Sequence, residues 1–175
     1  FNLGLVYYQG IGAKQDYSKA RKYFELASKQ NNLDAIKYLG VFYLHGFGGE
    51  QKHDEARKCF EILAQNNSAE GFFNLGIIYE RGYGYDVAKD YDRAKYYYEK
   101  AVELNFPLAL IHLGYLYKNG LGVKKDLLKA KEYFEECAKG NNSDAFIEIG
   151  RLYENNDGIK KDYSIAKNYY ELAAK

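Results

Sequence analysis

Ala109-Leu110-Ile111-His112-Leu113-Gly114-Tyr115-Leu116-Tyr117-Lys118-Asn119-Gly120-Leu121-Gly122-Val123-Lys124-Lys125-Asp126-Leu127-Leu128-Lys129-Ala130 carries a Leu-Gly pair, a tyrosine three residues on, two glycines, an aspartate and an alanine. Close variants of it stand at four other places. The Leu-Gly or Ile-Gly pair returns at Gly4, Gly40, Gly76, Gly114 and Gly150, in steps of 36, 36, 38 and 36 residues. A period of that size marks a stacked array of small units, none of which can bury its apolar face alone. One unit is therefore copied five times, and a motif present in every copy is scaffold before it is chemistry.

Aligned on the glycine, the five copies sample each position five times. Three residues after it stand Tyr7, Tyr43, Tyr79, Tyr117 and Tyr153. Together with Leu3, Leu39, Leu75, Leu113 and Ile149 before the glycine, and Val6, Phe42, Ile78, Leu116 and Leu152 after it, they space apolar residues as a helix does. Two glycine columns follow. One is Gly10, Gly46, Gly82 and Gly120, with Asn156 in the last copy; the other is Gly12, Gly48, Gly84, Gly122 and Gly158. Glycine and asparagine end a helix by taking the left-handed conformation cheaply, so the chain turns here. A second helix is expected after the N-capping Asp16, Asp90, Asp126 and Asp162. The second copy has Lys52 there, so Asp54 or a shifted start is expected to serve. This helix carries Ala20, Ala56, Ala94, Ala130 or Ala166, then an aromatic pair such as Tyr23-Phe24 or Tyr133-Phe134. The alanine is expected to face the Leu-Gly pair and the rings to fill the seam with the next unit. Asn31, Asn67, Asn105 and Asn141 close the units with a left-handed exit, and Pro107 sits at a helix start.

Composition agrees with a folded array. Of 175 residues, 47% are hydrophobic and 28% charged, and 25 basic residues against 24 acidic ones leave a formal charge of +1. That balance provides no broad field to hold nucleic acid or an anionic membrane. No apolar run approaches the ~20 residues needed to span a bilayer. The chain opens inside a helix at Phe1-Asn2-Leu3-Gly4, so it is expected to be part of a longer protein. Cys59 and Cys137 fall in columns otherwise held by core tyrosines, alanines and a leucine, and lack C-x-x-C or histidine spacing. Two free buried thiols are expected, with no metal site and no cofactor.

The pattern Ala-x4-Gly-x2-Tyr-x2-Gly-x-Gly-x3-Asp-x3-Ala, at Ala109, Gly114, Tyr117, Gly120, Gly122, Asp126 and Ala130, resembles the Sel1-like repeat, a relative of the tetratricopeptide repeat. The resemblance runs the length of the chain. Departures are Lys52, Gly71 for the unit-opening alanine, Asn156, and two extra residues in the loop of the third copy. The fold it implies is all-α, a right-handed α-solenoid superhelix in one domain, 1–175, with repeats near 1–34, 35–70, 71–108, 109–144 and 145–175. The function it implies is adaptor work. A cysteine-rich branch of the family, linked to β-lactam or cell-wall hydrolysis, supplies a rival reading, but that branch has a regular cysteine pair per unit and this chain does not. A passive structural spacer is the third.

Local motifs add no catalytic residue. A phosphate cradle needs a preceding strand and a third glycine, whereas each Gly-x-Gly here follows a helix. Ser164-Ile165-Ala166-Lys167 matches a Ser-x-x-Lys motif, yet its lysine belongs to a column that is basic in every copy: Arg21, Arg57, Lys95, Lys131 and Lys167. Four residues on stand Glu25, Glu61, Glu99, Glu135 and Glu171, and the two columns read as a solvated outer face.

In two-helix solenoids the first helices line the concave side. Positions two before, one after and five after the glycine share one stripe of that helix. Tyr38, His45, Asn74, Arg81, His112, Tyr115 and Arg151 are the candidate contacts for a protein or peptide, aromatics as anchors and polar groups for its backbone or acidic ends. No nucleic acid and no membrane insertion are expected. The loop from Gly82 to Asp90 is a second candidate, its Tyr83 and Tyr85 either projecting or folded back on a second helix.

Overall fold

The computed structural model describes residues 1–85, 87–155 and 159–175, and every regular element among them is an α-helix. The turn positions Asn156 and Gly158, and Asp86 of the long loop, lie outside the described residues. The chain forms two compact units. The first, Phe1–Asp90, holds α1 (Asn2–Gln9), α2 (Tyr17–Ser28), α3 (Leu33–His45), α4 (His53–Gln65) and α5 (Ala69–Arg81). The second, Tyr91–Lys175, holds α6 (Tyr91–Glu103), α7 (Leu108–Asn119), α8 (Leu127–Ala138), α9 (Ser143–Glu154) and α10 (Tyr163–Ala173). Within each unit, consecutive helices pack on one another.

The repeated glycine is a packing residue. A Cβ on Gly40 would lie 2.6 Å from Phe60 Cε1 and 3.1 Å from Cys59 Cβ, and Gly4 meets Phe24 in the same way. What lies against the glycine is thus the second ring of the aromatic pair, with the buried alanine one turn earlier on the same helix. Phe24, Phe60, Tyr98 and Phe134 are fully buried. Phe24 also stacks on Tyr38 of the next repeat, with centroids 5.1 Å apart and planes at 17°, and meets Phe42 edge-on at 5.3 Å. One ring therefore closes its own hairpin and the following seam, contributing about 2–3 kcal/mol by burial alone.

The helix ends follow local chemistry. Gly10, Gly46, Gly82 and Gly120 are left-handed C-caps, each with its N–H on a carbonyl of the last turn. Asn31, Asn67, Asn105 and Asn141 have φ of 56°, 58°, 60° and 55°. Asp16 and Asp126 accept from the amides of Lys19 and Lys129, and Asp162 from those of Ser164 and Ile165. Repeat 2 departs from expectation. Its helix α4 starts in the usual register with Lys52 at the N-cap and no side-chain cap bond, while Asp54 pairs with Arg57 at 3.8 Å. Both cysteines are buried and free.

The outer-face reading holds for the acidic column and needs correction for the basic one. All five lysine or arginine to glutamate pairs form, between 3.1 and 3.6 Å. Arg21, however, is only 8% exposed: it lies over the Tyr43 ring at 4.6 Å and donates to the Glu50 carbonyl, while the Tyr43 hydroxyl donates to Glu25. Lys131 lies likewise over Tyr153. Arg21 and Lys131 stand where one hairpin meets the tyrosine of the next, and their long stems cover that ring. Their charge reaches a glutamate of the acidic column, which itself stays partly exposed in every copy. Lys167 and Glu171, at 75% and 60%, form the solvated pair.

Candidate protein-binding face

In the first unit, Tyr38 and Asn74 are half-buried, while His45 and Arg81 are exposed at the ends of α3 and α5. Besides stacking on Phe24, Tyr38 lies 5.8 Å from the Phe1 ring and 5.7 Å from Tyr8. It is a seam residue with one face turned inward. The Asn74 amide donates to the Glu70 carbonyl at 2.8 Å, and the His45 ring sits 5.5 Å from Phe47. First helices of neighbouring repeats are also linked by Lys37 and Glu70, 4.0 Å apart.

In the second unit, His112 packs on Tyr98 at 4.8 Å, and Tyr115 meets Phe134 edge-on at 5.7 Å. Tyr115 and Arg151 are brought together by a residue the candidate set left out. Glu148, only 1% exposed, accepts from Lys118 Nζ at 2.6 Å and from Arg151, its neighbour one turn along α9. Burial tends to raise the Glu148 carboxyl, but the hydrogen bonds and charges of Lys118 and Arg151 outweigh it and hold the group below the ordinary carboxylate range. Burial and this same carboxylate push the Tyr115 phenol up to about 12. Two cations on one buried anion leave a net positive group beside a half-buried aromatic ring. Glu148 was visible in the sequence as the acid in a column of Asn2, Tyr38, Asn74 and His112. Lys118 gave no signal, because nothing in one unit shows which residue of the previous unit faces that column.

The long loop divides between its two readings. Tyr83 folds back and stacks on His53 of α4 at 4.7 Å, whereas Tyr85 is 92% exposed. Lys167 Nζ lies 3.6 Å from Glu171, and the Ser164 backbone amide caps on Asp162. Among the described residues no group of three or more histidines, cysteines or carboxylates is arranged to hold a metal, and no helix is long and apolar enough to cross a membrane.

Helical hairpins that bury their repeated glycine, alanine and aromatic columns define a helical repeat protein. The Sel1 repeat model matches residues 1–32, 33–68, 70–106, 107–142 and 144–175, and the chain belongs to the Sel1 repeat family. Proteins of this family are in general protein-interaction scaffolds, and the fold is typically non-catalytic. A Sel1 repeat protein from Oxalobacter formigenes is 31% identical over 99% of this chain and 70% of its own, with a TM-score of 0.85. The protective antigen c5321 of uropathogenic Escherichia coli, which displays the same repeat fold, is 28% identical with a TM-score of 0.85; the match covers 99% of this chain and 37% of the antigen. Helicobacter pylori cysteine rich protein B is 28% identical over 71% of this chain and 93% of its own, at a TM-score of 0.56. The comparison with curated proteins returned no match.

Proposed function

We propose that the chain is a non-enzymatic adaptor that holds a protein or peptide ligand on its first-helix faces, with Tyr115 and Arg151 the principal contacts in the second unit and Tyr38, His45, Asn74 and Arg81 those in the first. His112, packed on Tyr98, lies one turn before Tyr115 on the same helix and completes the set. The observation that carries this reading is the Glu148 group. It orients an exposed guanidinium beside an aromatic ring before any ligand arrives, so little side-chain entropy is lost when a carboxylate or carbonyl of the ligand docks. Rigid aromatic and arginine anchors supply most of the energy at such surfaces.

The test is a pull-down with the unchanged chain, a Tyr115→Ala/Arg151→Met variant and a Tyr38→Ala/Arg81→Ala variant, each checked for native helicity by circular dichroism. Partners retained by the first and lost by either variant support the reading; an identical partner set for all three removes it. Nitrocefin hydrolysis that survives Ser164→Ala would favour the hydrolase instead.

A further inference from the structure

Away from the first-helix faces, charge separates along the loop edge of repeats 4 and 5. Val123-Lys124-Lys125-Asp126 precedes α8 and Ile159-Lys160-Lys161-Asp162 precedes α10. Buried Ile159 belongs to the same core cluster as Tyr117, with Val123 and Leu127 packed against it, so the two loops share one edge. Among the described residues, that edge carries with Lys129 five lysines against two aspartates, in a chain whose charges otherwise nearly cancel. Both aspartates already accept backbone amides as N-caps. Lys129 and Lys161 are each held 4.4 Å over a tyrosine, Tyr117 and Tyr163, while Lys124 and Lys160 are exposed. Among Lys124, Lys125 and Lys129 lies an open recess lined by Tyr117, Val123 and Leu127, with Leu128 at its rim, 63% exposed.

We propose that this edge is a second docking surface, for an acidic segment of a partner protein that sets one apolar side chain into the recess and its carboxylates on Lys124, Lys129, Lys160 and Lys161. Opposite charge on either side of an apolar contact sets register as well as attraction. A flat lipid surface would reach the rim but leave the recess empty. A nucleic-acid backbone would bring no aliphatic group to it and would meet the two aspartates. The surface shares no residue with the proposed first-helix contacts, so either can fail alone.

The probe is a fluorescein-labelled nine-residue peptide with leucine at its centre and glutamates on both sides, followed by anisotropy at ~20 and ~150 mM salt. Binding is expected to weaken about tenfold in Lys124→Gln/Lys160→Gln/Lys161→Gln, the sum of several modest surface pairs. It should weaken severalfold when serine replaces the central leucine, and stay within twofold for Tyr115→Ala/Arg151→Met. A matched triple in the first unit, Lys14→Gln/Lys22→Gln/Lys29→Gln, should also stay within twofold. Equal losses in both lysine triples, indifference to the leucine, no binding at either salt, or tighter capture of phosphatidylserine vesicles or an oligothymidine strand than of the peptide would each overturn the proposal.

Discussion

Lys118 Nζ lies 2.6 Å from Glu148 Oε2 and joins α7 to α9 across the boundary between the fourth and fifth repeats. The lysine stands four residues after Gly114 and the glutamate two before Gly150. Tyr8 and Tyr38, in the same two columns of the first and second repeats, meet at 5.7 Å. One geometric register therefore takes a ring pair in one seam and an ion pair in another, because stacking sets the distance between the columns and leaves the side-chain chemistry open.

Glu148→Ala should destabilise the second unit by about 2–3 kcal/mol, since it strands two cations at a seam; the figure is below that for a fully buried pair because Lys118 and Arg151 are partly solvated. Hydrogen exchange would show this as faster exchange across α9 and α10, with α2 to α4 unchanged. A uniform effect along the chain would mean that the pair does not act locally.

The same carboxyl sets a pH dependence. Its value in the folded chain is below the ordinary 4.5. It therefore adds stability that is complete above that value and lost as pH falls through the depressed one. The difference in denaturation midpoint between the unchanged chain and Glu148→Gln should be constant from pH 7 to about pH 5 and shrink below about 4.5. A difference that widens in acid would reverse the sign assigned here.

Gly40→Ala gains about 1 kcal/mol of helix propensity but drives a Cβ to 2.6 Å from the fully buried Phe60 ring. Overpacking of that kind costs about 1–3 kcal/mol, so a net loss in urea denaturation is expected. Phe60→Leu should cost less in the Gly40→Ala background than alone, the signature of coupled neighbours. Additive losses would separate the two residues.

Burial, reinforced by Glu55, pushes the Cys59 thiol up to about 12, and burial raises Cys137 as well. Because the thiolate is the reactive form, neither should react with Ellman's reagent at pH 8 in the folded chain, and both should react promptly in urea. Fast labelling of Cys59 without denaturant would contradict its place in the core.

Helix-period spacing and turn residues are properties of a few consecutive residues, so the amino-acid order alone determines the ten helices among the described residues, the left-handed asparagines and the three observed aspartate caps. It also determines the buried character of Cys59 and Cys137, because columns of the array share a packing site. Pairing between columns of different repeats is not legible there, since it depends on how far one hairpin is displaced along the next. That displacement places Arg21 over Tyr43 and away from solvent, gives Tyr38 an inward face against Phe24, and brings Lys118 and Arg151 to Glu148. Local periodicity decides which residues a unit buries; stacking decides which residues of two units meet.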